Sequence, residues 1–402
     1  MRSTFFGLNI GKSGLYAYQA ALNTTAHNIA NIETPGYTRQ VMTQTASKAL
    51  KVNSSYGMAG TGVFVTGVIQ MREQYYDMKY WNNSTIYGEY STKAHYMTEI
   101  ENYFNDISVD GFTESFSSMY KSLQELMKNP SSLTVRTQFI NYAQSLTEYF
   151  NSVATNLKSL QQECNFEIRN QVEQINSIAK QIASLTKQIN TLEVTGGTAN
   201  DLRDQRALLI DELSQIANVS VTEKAVGDSG VGLTSYVVKI DGATLVDGIL
   251  YNTLQVVPRK HKANQNDADG LYDIYWDNGQ KFASDSPTLG GRLQALFEIR
   301  DGNNQFNLQG KVNATAGENF ITMFDTNIND VTDLNIPETG IIKVGNREYE
   351  YIGFSVTKDE ASGKFVYTFE LKDYVIVDAE NESSEIGRSI DYKGIPYYMD
   401  QM

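Results

Sequence analysis

The chain has 402 residues, 41% of which are hydrophobic, and its formal net charge is −14. Its length predicts two or three domains, and its hydrophobic fraction supports real cores, which excludes wholesale disorder. The excess of carboxylates argues against a surface for nucleic acid or anionic membranes, because both require Lys and Arg in excess.

The first predicted element is a helix over residues 8–33 with an apolar stripe. Leu8, Leu15, Leu22 and Ile29 recur at intervals of seven, a spacing suited to packing against another helix. The rest of the segment is Asn, Thr, Gln and Ala, which is weak material for an isolated helix. We therefore expect the helix to become ordered when a partner covers the stripe. The alternative is an ordinary amphipathic helix that folds onto its own domain.

A turn at residues 33–37 ends this helix. Pro35 removes a backbone donor and Gly36 permits a positive φ. Asn28 and Asn31 can bond the backbone near the helix end. Residues 41–70 follow as extended and loop structure, with glycines around a β-branched run that indicates a hairpin.

Helical patterns then dominate up to residue 216. Several segments run from residue 75 to Lys128, and residues 131–195 contain neither Gly nor Pro. Apolar residues from Leu146 to Leu192 alternate in steps of four and three, with a stutter at Leu160–Cys164–Ile168. One continuous helix there would be roughly 90 Å long and would need a long partner, as in rods and tubes. The charges of the next helix, over residues 202–216, are interpreted as a solvated or subunit-facing surface.

Strands are predicted after residue 218, at 219–221, 236–240 and 254–257, with a helix at 291–300 and an exposed loop at 260–270. A tight hairpin at 342–351 and an alternating strand at 365–371 place a second β-rich block at residues 303–392. The predicted fold is α+β multidomain: a helical stalk, with coiled-coil-like helices and a β-hairpin, carrying one or two β-rich modules. The predicted domains are an N-terminal helix and turn (1–40), a helical stalk (41–218), a β-rich module (219–302), an inserted β-rich module (303–392) and the start of a C-terminal helical segment (393–402).

No catalytic, cofactor or metal site is predicted. The three histidines have no ligand spacing, and Cys164 occupies an apolar stripe position that indicates core packing. Phosphate-loop, dinucleotide and nucleophile-elbow motifs are absent from the sequence. Asp267, Asp269 and Asp273 lack the spacing of a calcium loop, so they are interpreted as surface charge. The 25 tyrosines favour protein–protein contacts. Residues 1–14 lack the apolar stretch of a secretory signal peptide.

The stretch Ala21–Asn31 followed by Thr34–Gln40 resembles the N-terminal signature of flagellar rod, hook and hook-associated proteins. Further segments resemble the hook-associated protein 1 family. They are Gly60-x-Gly62-Val63-x-Val65, Asn200–Arg206, Gly290–Leu293 with Arg300-Asp301, and Gly394–Tyr398.

The resemblance implies a structural adaptor that joins hook to filament and is not an enzyme. It implies an assembly interface formed by Leu8, Leu15, Leu22, Ile29, Asn28, Asn31, Thr34, Pro35, Gly36, Tyr37, Arg39 and Gln40. The implied partners are further copies in a ring or helix, the hook protein, the next hook-associated protein and an export chaperone, with no cofactor, nucleic acid or membrane insertion. The protein would leave the cytoplasm by the flagellar type III apparatus and work outside the cell. In that family, C-terminal helices would begin where this chain stops.

Three alternatives stay open at this point. One is a hook or distal rod protein, for which we would expect less helix and more β structure. Another is a surface adhesin that uses residues 303–392 for binding. The third is a rod-associated peptidoglycan hydrolase, which would need a paired acid and base in a cleft.

Overall fold

The computed structural model describes residues 5–51, 57–104, 112–226, 234–328, 334–358 and 364–402. These ranges contain seven helices and sixteen strands, so the predicted α+β class with a long helix and β-rich modules is confirmed. The chain divides into two compact units. Unit 1 comprises Met1–Tyr87 and Glu173–Leu254, and unit 2 comprises Gly88–Val172 and Gln255–Met402. The five consecutive domain segments stay a prediction.

The helices are α1 Phe6–Ala30, α2 Gln74–Phe104, α3 Phe112–Lys128, α4 Leu133–Glu193, α5 Asn200–Ile216, α6 Gly291–Asp301 and α7 Ile395–Gln401. The first ten strands are β1 Gln40–Ala46, β2 Leu50–Lys51, β3 Met58–Ala59, β4 Val63–Gln70, β5 Val219–Ala225, β6 Thr234–Ile240, β7 Ala243–Asp247, β8 Leu250–Tyr251, β9 Leu254–Pro258 and β10 Tyr272–Trp276. The last six are β11 Leu308–Ala314, β12 Phe320–Phe324, β13 Gly340–Val344, β14 Arg347–Lys358, β15 Phe365–Leu371 and β16 Ala379–Ile386.

The long helix α4 forms without interruption over 61 residues, as the absence of Gly and Pro predicts. Its apolar stripe is buried from Val153 to Ile189, and Cys164 lies within it with no exposed surface, which confirms its core position. The stripe departs from the prediction at its end, because Leu192 is 50% exposed while Glu193 is buried. Glu193 replaces it because the guanidinium of Arg203 bonds both of its carboxylate oxygens.

Unit 1 combines α1, a two-stranded β1–β4 sheet and a four-stranded antiparallel sheet in the order β5-β6-β7-β8. The predicted pairing around residues 41–70 is confirmed: β1 and β4 are antiparallel, with Gln40 opposite Gln70. Hydrogen bonds from two side chains fasten α2 to α5. Trp81 Nε1 donates to the Asp211 carboxylate at 2.7 Å, and Thr85 Oγ1 donates to the Ser214 carbonyl at 2.7 Å.

In unit 2 the block from 303 to 392 contains a closed six-stranded barrel in the order β11-β12-β15-β14-β13-β16. The predicted hairpin is confirmed, with Val344 opposite Arg347 across its turn, and the alternating strand is β15. Closure leaves no free sheet edge on the barrel. Its interior is filled by side chains that include Leu308, Val312, Ile321, Met323, Ile342, Val344, Tyr349, Tyr351, Tyr367, Phe369 and Leu371.

The segment 260–270 is a loop, and the expectation that it is exposed holds for Gln265, Asp269 and Gly270 but was wrong for its buried residues. Asn264, Asp267 and Ala268 are buried. The amide side chain of Gln161 on α4 holds two of them: its Nε2 donates to Asp267 Oδ1 at 2.8 Å, and its Oε1 accepts the backbone N–H of Ala268 at 2.7 Å. The composition suggested a solvated loop because buried polar residues with hydrogen-bond partners cannot be distinguished from exposed polar residues by sequence alone.

A cluster of paired charges is buried beside this loop at the end of α6. Asp301 is 5% exposed, and its carboxylate accepts hydrogen bonds from Arg259, Arg300 and Arg388. Burial alone would raise the pKa of Asp301, but the three guanidinium groups outweigh it and hold that pKa well below the usual range. Asp273, which the sequence suggested as surface charge, belongs to the same cluster through Arg259 and Arg388.

Candidate assembly surface and signature turn

Helix α1 has two different faces. One face lies on β1 and β4 and carries small residues, of which Ala17 is 3% exposed. Ser13 fixes this contact, because its Oγ accepts the backbone N–H of Val63 at 3.2 Å. A Cβ at Gly62 would lie 2.2 Å from that oxygen, so only glycine allows the helix and strand to approach so closely.

The predicted stripe lies on the opposite face and is open. Leu8, Leu15, Leu22 and Ile29 are each between 66% and 69% exposed. Leu15 and Ala17 are two positions apart, about 200° around the helix, so the anchored face and the stripe cannot contact the same partner. Within the described residues, unit 1 thus presents an uncovered apolar helix face about 22 residues long from Leu8 to Ile29.

Asn28 is the centre of the turn that follows α1. Its Nδ2 donates to the Gln40 carbonyl at 2.8 Å, and its Oδ1 accepts from the Gln40 N–H at 2.9 Å and from the Tyr37 hydroxyl at 2.8 Å. A single amide therefore joins the last turn of the helix to the first residue of β1. This confirms that Asn28 bonds the backbone near the helix end.

The remaining signature residues shape the turn itself. Asn31 donates to the His27 carbonyl at 3.0 Å, as predicted, and its Oδ1 accepts from Thr34 at 3.2 Å. Gly36 has φ +75°, and a Cβ there would lie 3.3 Å from the Leu208 side chain. Pro35 is exposed in the turn. Arg39 is exposed as well, and its carbonyl accepts the N–H of Met71 at 2.9 Å.

Charged side chains of helix α5 support this turn, although the sequence predicted that they are exposed. Asp204 accepts the backbone N–H of Thr38 at 2.9 Å, and Asp201 accepts Gln40 Nε2 at 2.7 Å. Asp204 and Arg206 are buried, so the interpretation of this cluster as a solvated or subunit-facing surface was wrong for both. The reason is that each group has a long-range partner inside unit 1, Thr38 for Asp204 and Glu223 for Arg206, which sequence spacing does not show.

The electrostatics of the turn follow from this burial. Burial raises the pKa of Asp204, although the Thr38 N–H and the charge of Arg72 oppose the increase. Arg206 lies over the Tyr236 ring at 3.5 Å and bonds Glu223. Burial would raise the pKa of Glu223, but Arg206 and Arg203 outweigh it and lower that pKa. Asp204 binds the backbone of the turn and Arg206 binds Glu223, so these contacts favour a rigid connection between the turn and α5.

Other predicted features lie apart from this turn. Burial raises the pKa of the Cys164 thiol far above its usual value, which fits an inert core side chain. Within the described ranges, no group of three or more His, Cys, Asp or Glu side chains is placed to hold a metal ion. Among those same residues, no helix has both the length and the apolarity to cross a membrane.

Comparison with known proteins gives two matching family models. The model described as the flagellar hook-associated protein FlgK helical domain matches residues 97–336, more than half of the chain. The model described as flagella basal body rod protein matches residues 8–38, which contain α1 and the signature turn.

Several relatives carry the name flagellar hook-associated protein 1. The chain is 33% identical to that of Bacillus subtilis over 284 residues, which is 67% of this chain and 55% of the relative. It is 34% identical to that of Salmonella typhimurium and 33% identical to that of Escherichia coli, in each case over 62% of this chain and covering 44% and 45% of the relative. The chain thus spans about half the length of the curated relatives it matches.

One solved structure supports the fold. The flagellar hook junction protein FlgK from Burkholderia pseudomallei superposes with a TM-score of 0.50 at 18% identity, over 80% of this chain and 63% of that one. That identity shows similarity of fold alone. The FlgK helical-domain model covers more than half of the sequence, and the similarity of fold agrees with it. The chain therefore belongs to the FlgK family of flagellar hook-associated proteins.

Proposed function

We propose that this protein is a structural subunit of the bacterial flagellum that joins hook to filament and catalyses no reaction. The observation that carries the proposal is the open apolar stripe of α1, on the face opposite its anchored one. Family membership supports it, because the relatives are named as hook-associated proteins. The work of such a subunit is to present surfaces at fixed angles to its neighbours.

The stripe supplies the energy of assembly in this account. Burying a fully exposed Leu or Ile side chain contributes about 1.5–3 kcal/mol. Four side chains that are about two-thirds exposed would therefore contribute about 4–8 kcal/mol per subunit when a neighbouring helix covers them. That is enough to drive packing in a polymer where each subunit has several neighbours.

The signature turn supplies the direction. Asn28, Asn31, Thr34, Pro35, Gly36, Tyr37, Arg39 and Gln40 join α1 to β1 through the bonds described above. A fixed joint holds the stripe at one angle to the body of unit 1. Subunits with a loose joint would present the stripe at many angles and would lose entropy on assembly.

The partners and location follow from the same proposal. The stripe would pack in a ring or helical array of this protein, between the hook protein and the next hook-associated protein. The protein would be made in the cytoplasm, escorted by a chaperone in its full-length form, exported by the flagellar type III apparatus and assembled outside the cell. Its relatives' shared name supports an association with the hook.

A hook or distal rod protein is the closest alternative within the superfamily. The match of residues 8–38 to the rod family is compatible with it, because that segment contains the signature shared across the superfamily. The match of residues 97–336 to the FlgK helical domain favours the hook-associated protein. The uninterrupted helix α4 lies wholly within that range.

The test is the variant Leu22→Asp in the full-length protein, compared with Asn23→Asp in the same turn of α1. We expect Leu22→Asp to abolish incorporation into flagella, because the neighbouring helix would bury a carboxylate. Asn23→Asp adds the same charge beside the stripe and should be incorporated. Immunoblots of sheared flagella measure incorporation, and circular dichroism of the purified variants checks folding. Normal incorporation of folded Leu22→Asp would remove the role of the stripe.

A further inference from the structure

Unit 2 contains a cleft of about 660 Å³ between the β9–β10 hairpin and the outer side of β13 and β14. Six basic side chains and four carboxylates line it. The basic ones are Arg259, Lys260, Lys262, Lys281, Lys343 and Arg388, and the carboxylates are Asp273, Asp277, Glu348 and Glu350. This balance is opposite to that of unit 2 as a whole, where twenty Lys and Arg face thirty-four Asp and Glu. Arg259 and Arg388 are already paired with Asp273 and the buried Asp301, so the lysines are the cations of the cleft that can meet an acidic partner.

The cleft also has apolar walls and cations that can exchange partners. Val257 and Ile341 line it and are 42% and 39% exposed. Lys262 pairs with Asp269 at 3.0 Å, but that aspartate side chain is 90% exposed. Lys281 is 3.9 Å from Asp273. Surface ion pairs of this kind contribute little, so the lysines can turn to a better acidic partner at small cost.

The barrel carries a protruding segment with the complementary character. The tip loop, residues 372–378 between β15 and β16, exposes 69% of Tyr374, 75% of Ile376 and 43% of Val377. Aspartates lie at positions 373 and 378. The buried Val375 fixes the loop, because its N–H donates to the Glu318 carbonyl at 2.8 Å and its carbonyl accepts from Gly317 at 2.9 Å. The loop thus presents apolar side chains between two carboxylates on a fixed backbone.

We propose that the tip loop of one copy docks into the cleft of a second copy of this chain. Apolar side chains of the loop would cover Val257 and Ile341, and its aspartates would meet the lysines of the cleft. Lys372 at the start of the loop pairs with Glu350, which lines the cleft, but residues 373–378 do not line the cleft of their own chain. The contact joins two different surfaces of identical subunits, a heterologous contact that propagates into rings or helical arrays. The inference rests on the proposed function, because it names a second contact for the same assembly.

Site-directed disulfide formation tests the contact in the full chain. One tagged copy carries Ile376→Cys and a second, differently tagged copy carries Val257→Cys, while the native Cys164 is buried and unreactive. The control replaces Val257→Cys by Tyr251→Cys, a position in unit 1 with 40% exposure against 42%. We expect the cleft pair to form the covalent heterodimer at least about tenfold faster, because docking raises the effective concentration of the two thiols. Equal rates for the two pairs would overturn the contact.

Charge exchange then tests its chemistry. Lys260→Glu in the cleft copy and Asp373→Lys in the loop copy should each slow disulfide formation, and the two together should restore it. Lys224→Glu makes the same charge change on β5 and should leave the rate unchanged. Failure of the double exchange to restore the rate would overturn the charge pairing. Because Leu22→Asp tests the stripe on unit 1 separately, loss of this contact would leave the proposed function standing.

Discussion

At the residue scale, Asn28 connects the end of α1 to the start of the body of unit 1. Its amide makes three hydrogen bonds across the turn, two of them to the backbone of Gln40. A side chain that satisfies both a donor and an acceptor of one distant residue fixes distance and orientation together. The direction of the stripe therefore depends on this amide together with the anchored face of α1.

Replacing Asn28→Ala should destabilise the chain by about 2–3 kcal/mol, because three bonds are lost and the Gln40 groups lose their partner. Asn23→Ala is the matched control, since Asn23 is exposed on the same helix and Ala is the better helix former. Urea denaturation followed by circular dichroism gives both free energies of unfolding. A loss for Asn28→Ala no larger than that of Asn23→Ala would show that the turn is held in another way.

The role of Asn28 could be predicted in part from the sequence. The position of Asn28 at the end of a helix, before Pro35 and Gly36, indicated a bond to nearby backbone, and the structure confirms it. The support from Asp204 could not be predicted, because it bonds Thr38 across 166 positions of sequence. Spacing rules describe neighbours along an element and carry no information about such pairs.

Asp301 makes the stability of unit 2 depend on pH. Its folded-state pKa lies well below that of an unfolded aspartate, so its contribution is fully present above about pH 4 and is lost as the pH falls below that value. Asp301→Asn should cost about 3–5 kcal/mol at neutral pH, because three guanidinium groups lose their shared partner. It should also make the acid-side decrease in free energy of unfolding shallower.

Denaturant titrations between about pH 2.5 and 7 measure this dependence. Asp269→Asn is the control, because that carboxylate is 90% exposed and makes one surface ion pair, and it should keep the slope of the unmodified chain. If the free energy of unfolding of Asp301→Asn falls with decreasing pH as steeply as that of the unmodified chain, the Asp301 cluster does not couple stability to pH.

At the scale of elements, two glycines let the chain enter and leave the barrel segment beside α6. A Cβ at Gly302 would lie 2.2 Å from the Glu298 carbonyl oxygen, and one at Gly394 would lie 2.3 Å from the same oxygen. The N–H of Gly394 donates to the Gly302 carbonyl at 3.1 Å. Two backbones thus cross the end of one helix at a distance that excludes a side chain.

Gly302→Ala should destabilise unit 2 by about 1–3 kcal/mol or more, because the neighbouring atoms are backbone and cannot move aside cheaply. Gly353→Ala is the matched control within β14, where a Cβ would meet nothing within 4 Å. Thermal unfolding of the two variants compares the costs. A Gly302→Ala chain as stable as Gly353→Ala would show that α6 and the crossing segments can separate without loss.

The elements themselves were predictable where local pattern decides them. The period of seven in α1 and the lack of Gly and Pro in α4 gave both helices, and alternation gave β15. Barrel closure was not predictable, since β12 pairs with β15 and β11 with β16, and neither pairing leaves a local signal. The anchored face of α1 was missed because small residues such as Ser13 and Ala17 give no periodic apolar signal.

At the scale of the whole molecule, the net charge lies in one unit. Unit 1, which carries the stripe and the signature turn, has thirteen Lys and Arg against thirteen Asp and Glu. Unit 2 carries the whole excess of carboxylates. A neutral unit 1 can pack closely against copies of itself with little repulsion, while the acidic unit 2 favours solubility before assembly.

The central claim is that the full-length protein joins hook to filament. The most direct test is negative-stain electron microscopy of cells that lack the gene, complemented by the full-length reading frame or by its Leu22→Asp form. The account predicts hooks without filaments in the deletion strain and in the Leu22→Asp strain, with filaments restored by the unaltered frame. Filaments that persist in the deletion strain would contradict it.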